Sequence, residues 1–519
     1  MVKQTPEYFA AIHLGSEQVS MQIVEYTCLQ DMKVIDQVSR RVDLGEEMFQ
    51  THKISFGTLN QVCNLLKGYW RLLKDYGVKD YRLVATTAVR EATNQNYIID
   101  QIKVKTGLRV SVVDMPQEIF YKYVSSYHNL AEQGLTADKE GILFVDISSG
   151  GLGMTLLQEE TIQFQQNLHI GALRIKEGFE LAQRESAHFH QALEEYIYSA
   201  VEPVKNYLEN CRIRYLSLSG IETGLLLKML HKVRRGNQFC VISVDEFNVL
   251  YEQVNRLNVP QLMQIFDLTI DMAEMVLPTL VLYHQMLSLT HVQEIVIPCD
   301  NFKDGITLLH LAEQKRDPWI KVIENQIFSL VWNLSKRYLS DTKHARMVEK
   351  LSLLLFDKMK KLHGLDKRER FILQGAAILH EIGKFVSLRR HYYHSYQLIV
   401  SSDIMGFSNR EKAIMANVAY YHTKGIPHSG QANYAKLLEE DKVTVAKLAA
   451  MIRLADAMDR SHRNKVKKVN ISLKGNDLFI KVAVHEDYSL EEWTFASKAD
   501  FFEDVFGVRA LLERGKSNV

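Results

Sequence analysis

The chain has 519 residues, 46% hydrophobic and 24% charged, enough apolar material for roughly three to four cores of about 100 to 200 residues each. Lys and Arg total 63 against 62 Asp and Glu, so no overall basic field directs the chain to nucleic acid or to an anionic membrane, and any polyanion site must be a local patch. The five cysteines, Cys28, Cys63, Cys211, Cys240 and Cys299, show no Cys-x-x-Cys spacing, which argues against a disulfide framework or zinc ribbon and fits a reducing cytoplasm.

In chain order, Met1 to Tyr8 is polar, with no apolar run before a small-residue cleavage site, and predicts no secretory signal. Phe9–Leu14 and Val19–Tyr26 read as strands around Gly15-Ser16, and Val34–Val42 continues them as a meander. Phe56–Lys74 carries apolar residues at helical spacing, Tyr81–Thr86 reads as a strand, and Thr87–Asn94 opens the next helix. A second cycle begins at Gly141–Val145, turns through Ser148-Ser149-Gly150-Gly151 and resumes at Met154–Gln158. Two similar strand–turn–strand openings point to two related lobes.

Met272–Leu289 is the most apolar stretch, but Glu274, Pro278, His284 and Gln285 interrupt it, so it reads as a buried helix and not as a membrane span. From about Asp317 the pattern becomes helical: Ile320–Leu362, Arg368–Phe385, Asn409–His422 and Thr444–Met458 all place apolar residues three and four apart. Val469–Leu473 and Leu478–Val484 flank Gly475-Asn476 as a hairpin, and a helix around Lys498–Phe506 follows. This predicts α/β lobes, then an all-α domain, then a small α+β C-terminal domain, with borders at 1–132, 133–312, 313–466 and 467–519.

The two Gly/Ser turns are the first candidates for chemistry. Small residues let backbone N–H groups approach an anion and hydroxyls add donors, so Gly15, Ser16, Ser148, Ser149, Gly150 and Gly151 form candidate phosphate nests, although each turn alone also reads as an ordinary hairpin. Ala11-Ile12-His13-Leu14-Gly15-Ser16 and Ala85-Thr86-Thr87-Ala88-Val89-Arg90-Glu91-Ala92 resemble the phosphate motif and the Ala-Thr-Ser-Ala-Val-Arg-Glu-Ala signature of the exopolyphosphatase / guanosine pentaphosphate phosphohydrolase family. Val145-Asp146-Ile147-Ser148-Ser149-Gly150-Gly151, Ile170-Gly171-Ala172-Leu173-Arg174, Leu218-Ser219-Gly220 and Asp304-Gly305-Ile306 follow in that family's order.

That resemblance implies duplicated actin-like, ribonuclease H-like lobes followed by an HD-type helical domain, and homodimers built through the helical half. It implies Glu118 as the base that activates water, Arg90 as a phosphate ligand at the cleft mouth, His13 beside the phosphate, Asp146 as ligand to a divalent cation (Mg²⁺ or Mn²⁺), and inorganic polyphosphate or guanosine pentaphosphate as the partner. Arg90 also reads as a salt-bridge residue, and Glu118 as a capping carboxylate. The chain departs from the family pattern at two positions, His13 and Gly153, where that pattern carries Asp and Glu. The leading expectation is an exopolyphosphatase; the alternative is a catalytically impaired protein that binds polyphosphate or guanosine pentaphosphate.

In the helical half, His344, the pair His380-Glu381, and Asp456 occur in the order of an HD phosphohydrolase bundle, with Glu381 where Asp is usual, and read either as a divalent-metal site or as a degenerate set of mutually satisfied polar groups. His391, His394 and His422 lie near them in sequence, and the basic run Arg460 to Lys468 reads as a polyanion channel or a solvated surface.

Overall fold

A computed structural model describes residues 5–515 apart from 187, 210, 221, 234, 235, 237, 300 and 424. Residues 1–4, part of the segment read for a secretory signal, lie outside the described residues. The chain divides into two units, Met1–Ile327 and Phe328–Val519.

The first unit is organised by two strands buried on both faces. In β1 (Glu7–Leu14) Phe9 to Ile12 have no exposed surface, and β6 (Gly141–Ile147) is buried along its whole length. Near-continuous apolar runs of this kind belong in the middle of a sheet covered on both sides. β1 accordingly sits third in the order β3-β2-β1-β4-β5, where β2 is Gln18–Tyr26, β3 Lys33–Arg41, β4 Asp80–Ala85 and β5 Val110–Val112. It pairs antiparallel with β2 and parallel with β4. β6 repeats this arrangement: antiparallel to β7 (Leu152–Gln158), which carries β8 (Thr161–Leu168), and parallel to β9 (Ile213–Ser219). Beyond β9 lie β11 (Glu294–Ile297) and the antiparallel edge β10 (Cys240–Ser243).

Thus 3-2-1-4-5 is echoed by 8-7-6-9-11, the duplicated mixed-sheet plan of an actin-like α/β region. The turns Gly15-Ser16 and Ser148–Gly151 occupy equivalent places, each after the central strand of its sheet. The helix Phe56–Asp75, capped by Ser55 Oγ accepting from the Thr58 N–H at 3.2 Å, packs its apolar face into the first core. The helix Ile270–Ser288 lies in the second core, as its interrupted apolarity predicts. Among the described residues no helix is long and apolar enough to cross a membrane.

The second unit is mainly helical: Thr342–Lys358, Lys367–Leu379, His391–Ser401, Asn409–Tyr420, Glu439–Ala457 and Ser489–Phe506. The stretch Ile320–Leu362, with its helical spacing, is divided between helices: Leu339 takes a positive φ of 49°, and Asp341 caps a new helix by accepting from the N–H groups of Lys343 and His344. The stretch Arg368–Phe385 ends its α-helix at Leu379 and finishes as a 3₁₀ turn. The predicted hairpin forms as β12 (Lys468–Lys474) and β13 (Asp477–Ala483). A third strand, β14 (Arg509–Gly515), adds parallel to β13 and is not announced by alternation, because charges at Arg509, Glu513 and Arg514 interrupt a short apolar run.

Candidate functional site

The two Gly/Ser turns border one cavity of about 280 Å³ in the first unit, lined by His13, Gly15, Ser16, Glu118, Ser148 and Ser149 among others. The first turn is tight: the Gly15 N–H donates to Gln18 O at 3.0 Å, and a Cβ on Gly15 would lie 3.0 Å from His13 Cε1. The Thr86 N–H donates to Leu14 O at 3.2 Å, which fixes the Ala85–Ala92 motif against this turn.

The second turn closes through Ser148, whose N–H donates to Gly151 O at 2.8 Å. Its glycines answer to packing, and neither lines the cavity: a Cβ on Gly150 would stand 2.4 Å from Thr87 Cγ2, and one on Gly151 2.1 Å from Met115 Cε. Arg174 holds the turn, its Nε donating to Gly150 O at 2.9 Å while its guanidinium takes both oxygens of Glu91 at 2.7 and 2.6 Å. Gly171 passes so close that a Cβ would fall 2.2 Å from Ser148 O. The motif segments that are far apart in sequence are therefore the walls of one turn.

Glu118 stands in the first turn of the helix Met115–Glu132, with Pro116 at its start and Asp114 as cap, accepting from the Gln117 N–H at 3.1 Å. The capping role expected as the alternative for Glu118 falls to Asp114. Glu118 is only 5% exposed. Arg90 Nη1 donates to its Oε2 at 2.9 Å, and Lys122 Nζ lies 3.7 Å from Oε1. Burial pushes this carboxyl up, but Lys122 and Arg90 outweigh it and hold it below the ordinary carboxylate value. Arg90 also donates to Thr87 Oγ1 at 2.9 Å and to Val113 O at 3.1 Å, so it stands behind the cavity wall as the partner of Glu118.

His13 is the last residue but one of β1, with Nε2 3.0 Å from Thr86 Oγ1 and its ring 4.4 Å from that of Phe302. Burial, partly opposed by Glu118, pushes it down to about 3, so the imidazole is neutral at physiological pH. The other departure has a steric cause: a Cβ at Gly153 would come within 2.6 Å of Ile119 Cδ1 and 2.9 Å of Ile119 Cγ1 and Cγ2.

Asp146, 6% exposed, uses both oxygens: Oδ2 faces Lys122 Nζ at 2.8 Å and Oδ1 accepts from Ser219 Oγ at 2.9 Å. Taken as a ligand pair, Glu118 and Asp146 do not fit a bridging divalent cation while Lys122 lies between them.

Several cavity residues stand outside the sequence-predicted set. Lys122 follows Glu118 by four residues on one helix, a legible i, i+4 signal. Lys303, in the first turn of the helix Phe302–Lys315, has Nζ 3.1 Å from Ser20 Oγ, and burial lowers its affinity for its proton although Asp304 opposes this. Glu17 accepts from Ser149 Oγ at 3.2 Å. Glu222 opens the helix Glu222–Met229, is 6% exposed, has no hydrogen-bond partner on Oε2, and is pushed up to about 8, first by burial and then by Glu17. The starts of Glu222–Met229 and Phe302–Lys315 both border the cavity, where helix N-termini favour an anion.

In the second unit His344, His380, Glu381 and Asp456 converge, with one ligand atom from each within 4.8 Å of the others. His344 Nδ1 faces Asp459 Oδ2 at 2.9 Å and His380 Nδ1 faces Ala377 O at 2.8 Å, so the two Nε2 atoms meet at 3.3 Å. Glu381 Oε2 and Asp456 Oδ1 lack hydrogen-bond partners. Ring nitrogens fixed from behind and orphaned carboxylate oxygens in front are the donor set a divalent cation takes. Without one, burial opposes but Asp456, Asp459 and Glu381 prevail in pushing His344 up to about 9. His391 and His422 adjoin this set through Glu381, whereas His394 is not in it. Lys384 pairs with Glu381 and Lys498 with Asp456. In the basic run, Lys465 is buried against Glu491 at 3.0 Å and His462 stacks on His344 at 3.7 Å, so these two face inward.

Comparison with solved structures finds the same fold over about three fifths of the chain. A Ppx/GppA family member from Aquifex aeolicus matches at 17% identity and TM-score 0.51, over 60% of this chain and 99% of that one. An exopolyphosphatase from Cytophaga hutchinsonii matches at 19% identity and TM-score 0.52, over 59% of this chain and 98% of that one. An exopolyphosphatase-like protein matches at 15% identity and TM-score 0.52, again over 59% and 98%. The model of the Ppx/GppA phosphatase family matches residues 22–313, more than half of the chain, and that of Ppx/GppA phosphatase domain III matches residues 329–498. The first of these models spans most of the duplicated-sheet region and the second most of the helical region that follows it in sequence, and the chain belongs to the Ppx/GppA phosphatase family.

Proposed function

We propose that the cavity of the first unit takes the terminal phosphate of inorganic polyphosphate and hydrolyses it. The observation that carries this reading is Glu118, a buried carboxylate kept ionised by Arg90 and Lys122 at the wall of a cavity that also presents Ser16, Ser148, Ser149 and Lys303. The hydroxyls and Lys303 hold the phosphate oxygens. Glu118 orients a water and accepts its proton as the water oxygen bonds to the terminal phosphorus. The bridging P–O bond breaks, and the products are orthophosphate and a chain shorter by that unit. Phosphoryl transfer is mostly positioning and charge neutralisation, which this constellation supplies through fixed donors.

Family phosphatases of this type are generally divalent-metal dependent, and Mg²⁺ or Mn²⁺ is part of the proposal as a charge-neutralising cofactor. No step above runs through it, because Asp146 and Glu118 are both engaged by Lys122. The constellation that fits a cation is His344, His380, Glu381 and Asp456, and we read the second unit as an HD-type bundle around it. The homodimer implied by the family resemblance belongs to the same proposal.

A second reading, a protein that binds the phosphate chain without turning it over, is favoured by the same ion pairs: a carboxylate held low by two cations is a weak base. Guanosine pentaphosphate presents the same terminal anhydride and is the alternative ligand. Equilibrium binding of long-chain polyphosphate tests the site common to both readings. Lys303→Met is expected to weaken binding by about tenfold, and guanosine pentaphosphate to compete. Unchanged binding in Lys303→Met would place the phosphate elsewhere.

A further inference from the structure

Two carboxylates buried side by side require a cation, and this chain carries its own. Glu118 and Asp146 are 5% and 6% exposed. Lys122, one helical turn beyond Glu118, reaches back between them, with Nζ 2.8 Å from Asp146 Oδ2 and 3.7 Å from Glu118 Oε1. Arg90 closes the remaining side of Glu118 at 2.9 Å, and Ser219 donates to the second oxygen of Asp146 at 2.9 Å. Two negative groups thus meet two positive ones, and the cluster is neutral as it stands.

A Mg²⁺ ion needs oxygen ligands at about 2.0–2.1 Å in near-octahedral geometry. An ion close enough to bond both Asp146 Oδ2 and Glu118 Oε1 would occupy the space of the Lys122 ammonium and meet its charge in a desolvated setting. Burial disfavours that ammonium, yet Asp146 and Glu118 overcome the cost and keep it protonated.

We propose that Lys122 is a resident cation of the cleft, standing where a divalent ion would otherwise bridge Glu118 and Asp146, so that the phosphate chain is bound there without an ion at that position. The proposal rests on the reading of the cavity as a phosphate site. Lys122 itself lines the cavity, and an ammonium has three donors, so the group that neutralises the two carboxylates also offers a donor to a phosphate oxygen. It is a positioning residue for Glu118, tying the base to the chain that the base serves.

The test is Mn²⁺ stoichiometry of the full chain by equilibrium dialysis, which needs no turnover, together with polyphosphate binding in EDTA and in Mg²⁺. In the parent, Asp146→Asn leaves Mn²⁺ stoichiometry unchanged. Lys122→Met gains about one ion, the gain is lost again in Lys122→Met/Asp146→Asn, and Lys122→Arg keeps the parent value. Parent polyphosphate affinity in EDTA stays within about twofold of that in Mg²⁺. Loss of one Mn²⁺ from the parent on Asp146→Asn overturns the proposal, as does a folded Lys122→Met that gains none. Should circular dichroism show Lys122→Met unfolded, the Asp146→Asn comparison decides alone. If the chain binds no polyphosphate, the proposed function fails while the Mn²⁺ count still judges Lys122.

Discussion

Arg90 Nη1 donates to Glu118 Oε2 at 2.9 Å, so the guanidinium near the end of one short helix clamps the carboxylate that opens the next helix but one. Together with Lys122, this guanidinium sets the basicity of the group proposed to activate water. Removing the guanidinium relieves a charge that favours the ionised form, so the Glu118 pKa rises in Arg90→Met. The acid limb of the pH–rate profile for phosphate release then moves to higher pH. A limb that stays in place would remove Glu118 from the titrating role.

Gly153 is a departure that cannot be reversed singly. Gly153→Glu drives its Cβ into Ile119, which sits beside Glu118 on the same helix, and is expected to cost about 1–3 kcal/mol of stability in denaturant unfolding. Gly153→Glu/Ile119→Ala recovers part of that loss. If Gly153→Glu is as stable as the parent, the steric account of the departure is wrong.

Much of this site was legible in the sequence because motif order and turn chemistry are local properties. Gly15-Ser16 and Ser148–Gly151 are found by small residues after apolar runs, and both fall after the central strand of a sheet. What stayed hidden depends on pairing across the fold. Lys122 carries an i, i+4 signal to Glu118, but its contact with Asp146 exists only once the helix packs against β6. Glu17 and Glu222 look like surface acids in sequence; burial beside the cavity is what makes them unusual. Gly150 and Gly151 read as phosphate-approach glycines, whereas their lack of a side chain is demanded by Thr87 and Met115.

Glu222 gives a pH test. Its carboxyl is raised from 4.5 to about 8 in the fold, so its charged form is penalised there. The sign follows: stability is unaffected below about 4.5, falls as pH rises between the two values, and stays reduced above about 8. Glu222→Gln should therefore stabilise the chain at pH 9 by on the order of 5 kcal/mol and leave it unchanged at pH 4. Polyphosphate affinity of the parent should weaken through the same upper range, and that dependence should flatten in Glu222→Gln. Parallel curves for the two proteins would contradict this.

The second unit supplies a metal test. Added Mn²⁺ at a hundredfold excess over its dissociation constant should stabilise the chain by about 2.7 kcal/mol, and His380→Asn should abolish the gain by removing a ligand from the His344, Glu381 and Asp456 set. An unchanged response in His380→Asn would make this cluster a self-satisfied polar group.

The most direct test of the account is orthophosphate release from long-chain polyphosphate by the parent and by Glu118→Gln, with binding measured alongside. The account predicts release by the parent, a fall of about 10²–10⁴-fold in Glu118→Gln, and polyphosphate binding retained by the variant. Equal rates in the two proteins would contradict it, and so would a parent that binds the chain but releases no phosphate, which would leave the binding reading in its place.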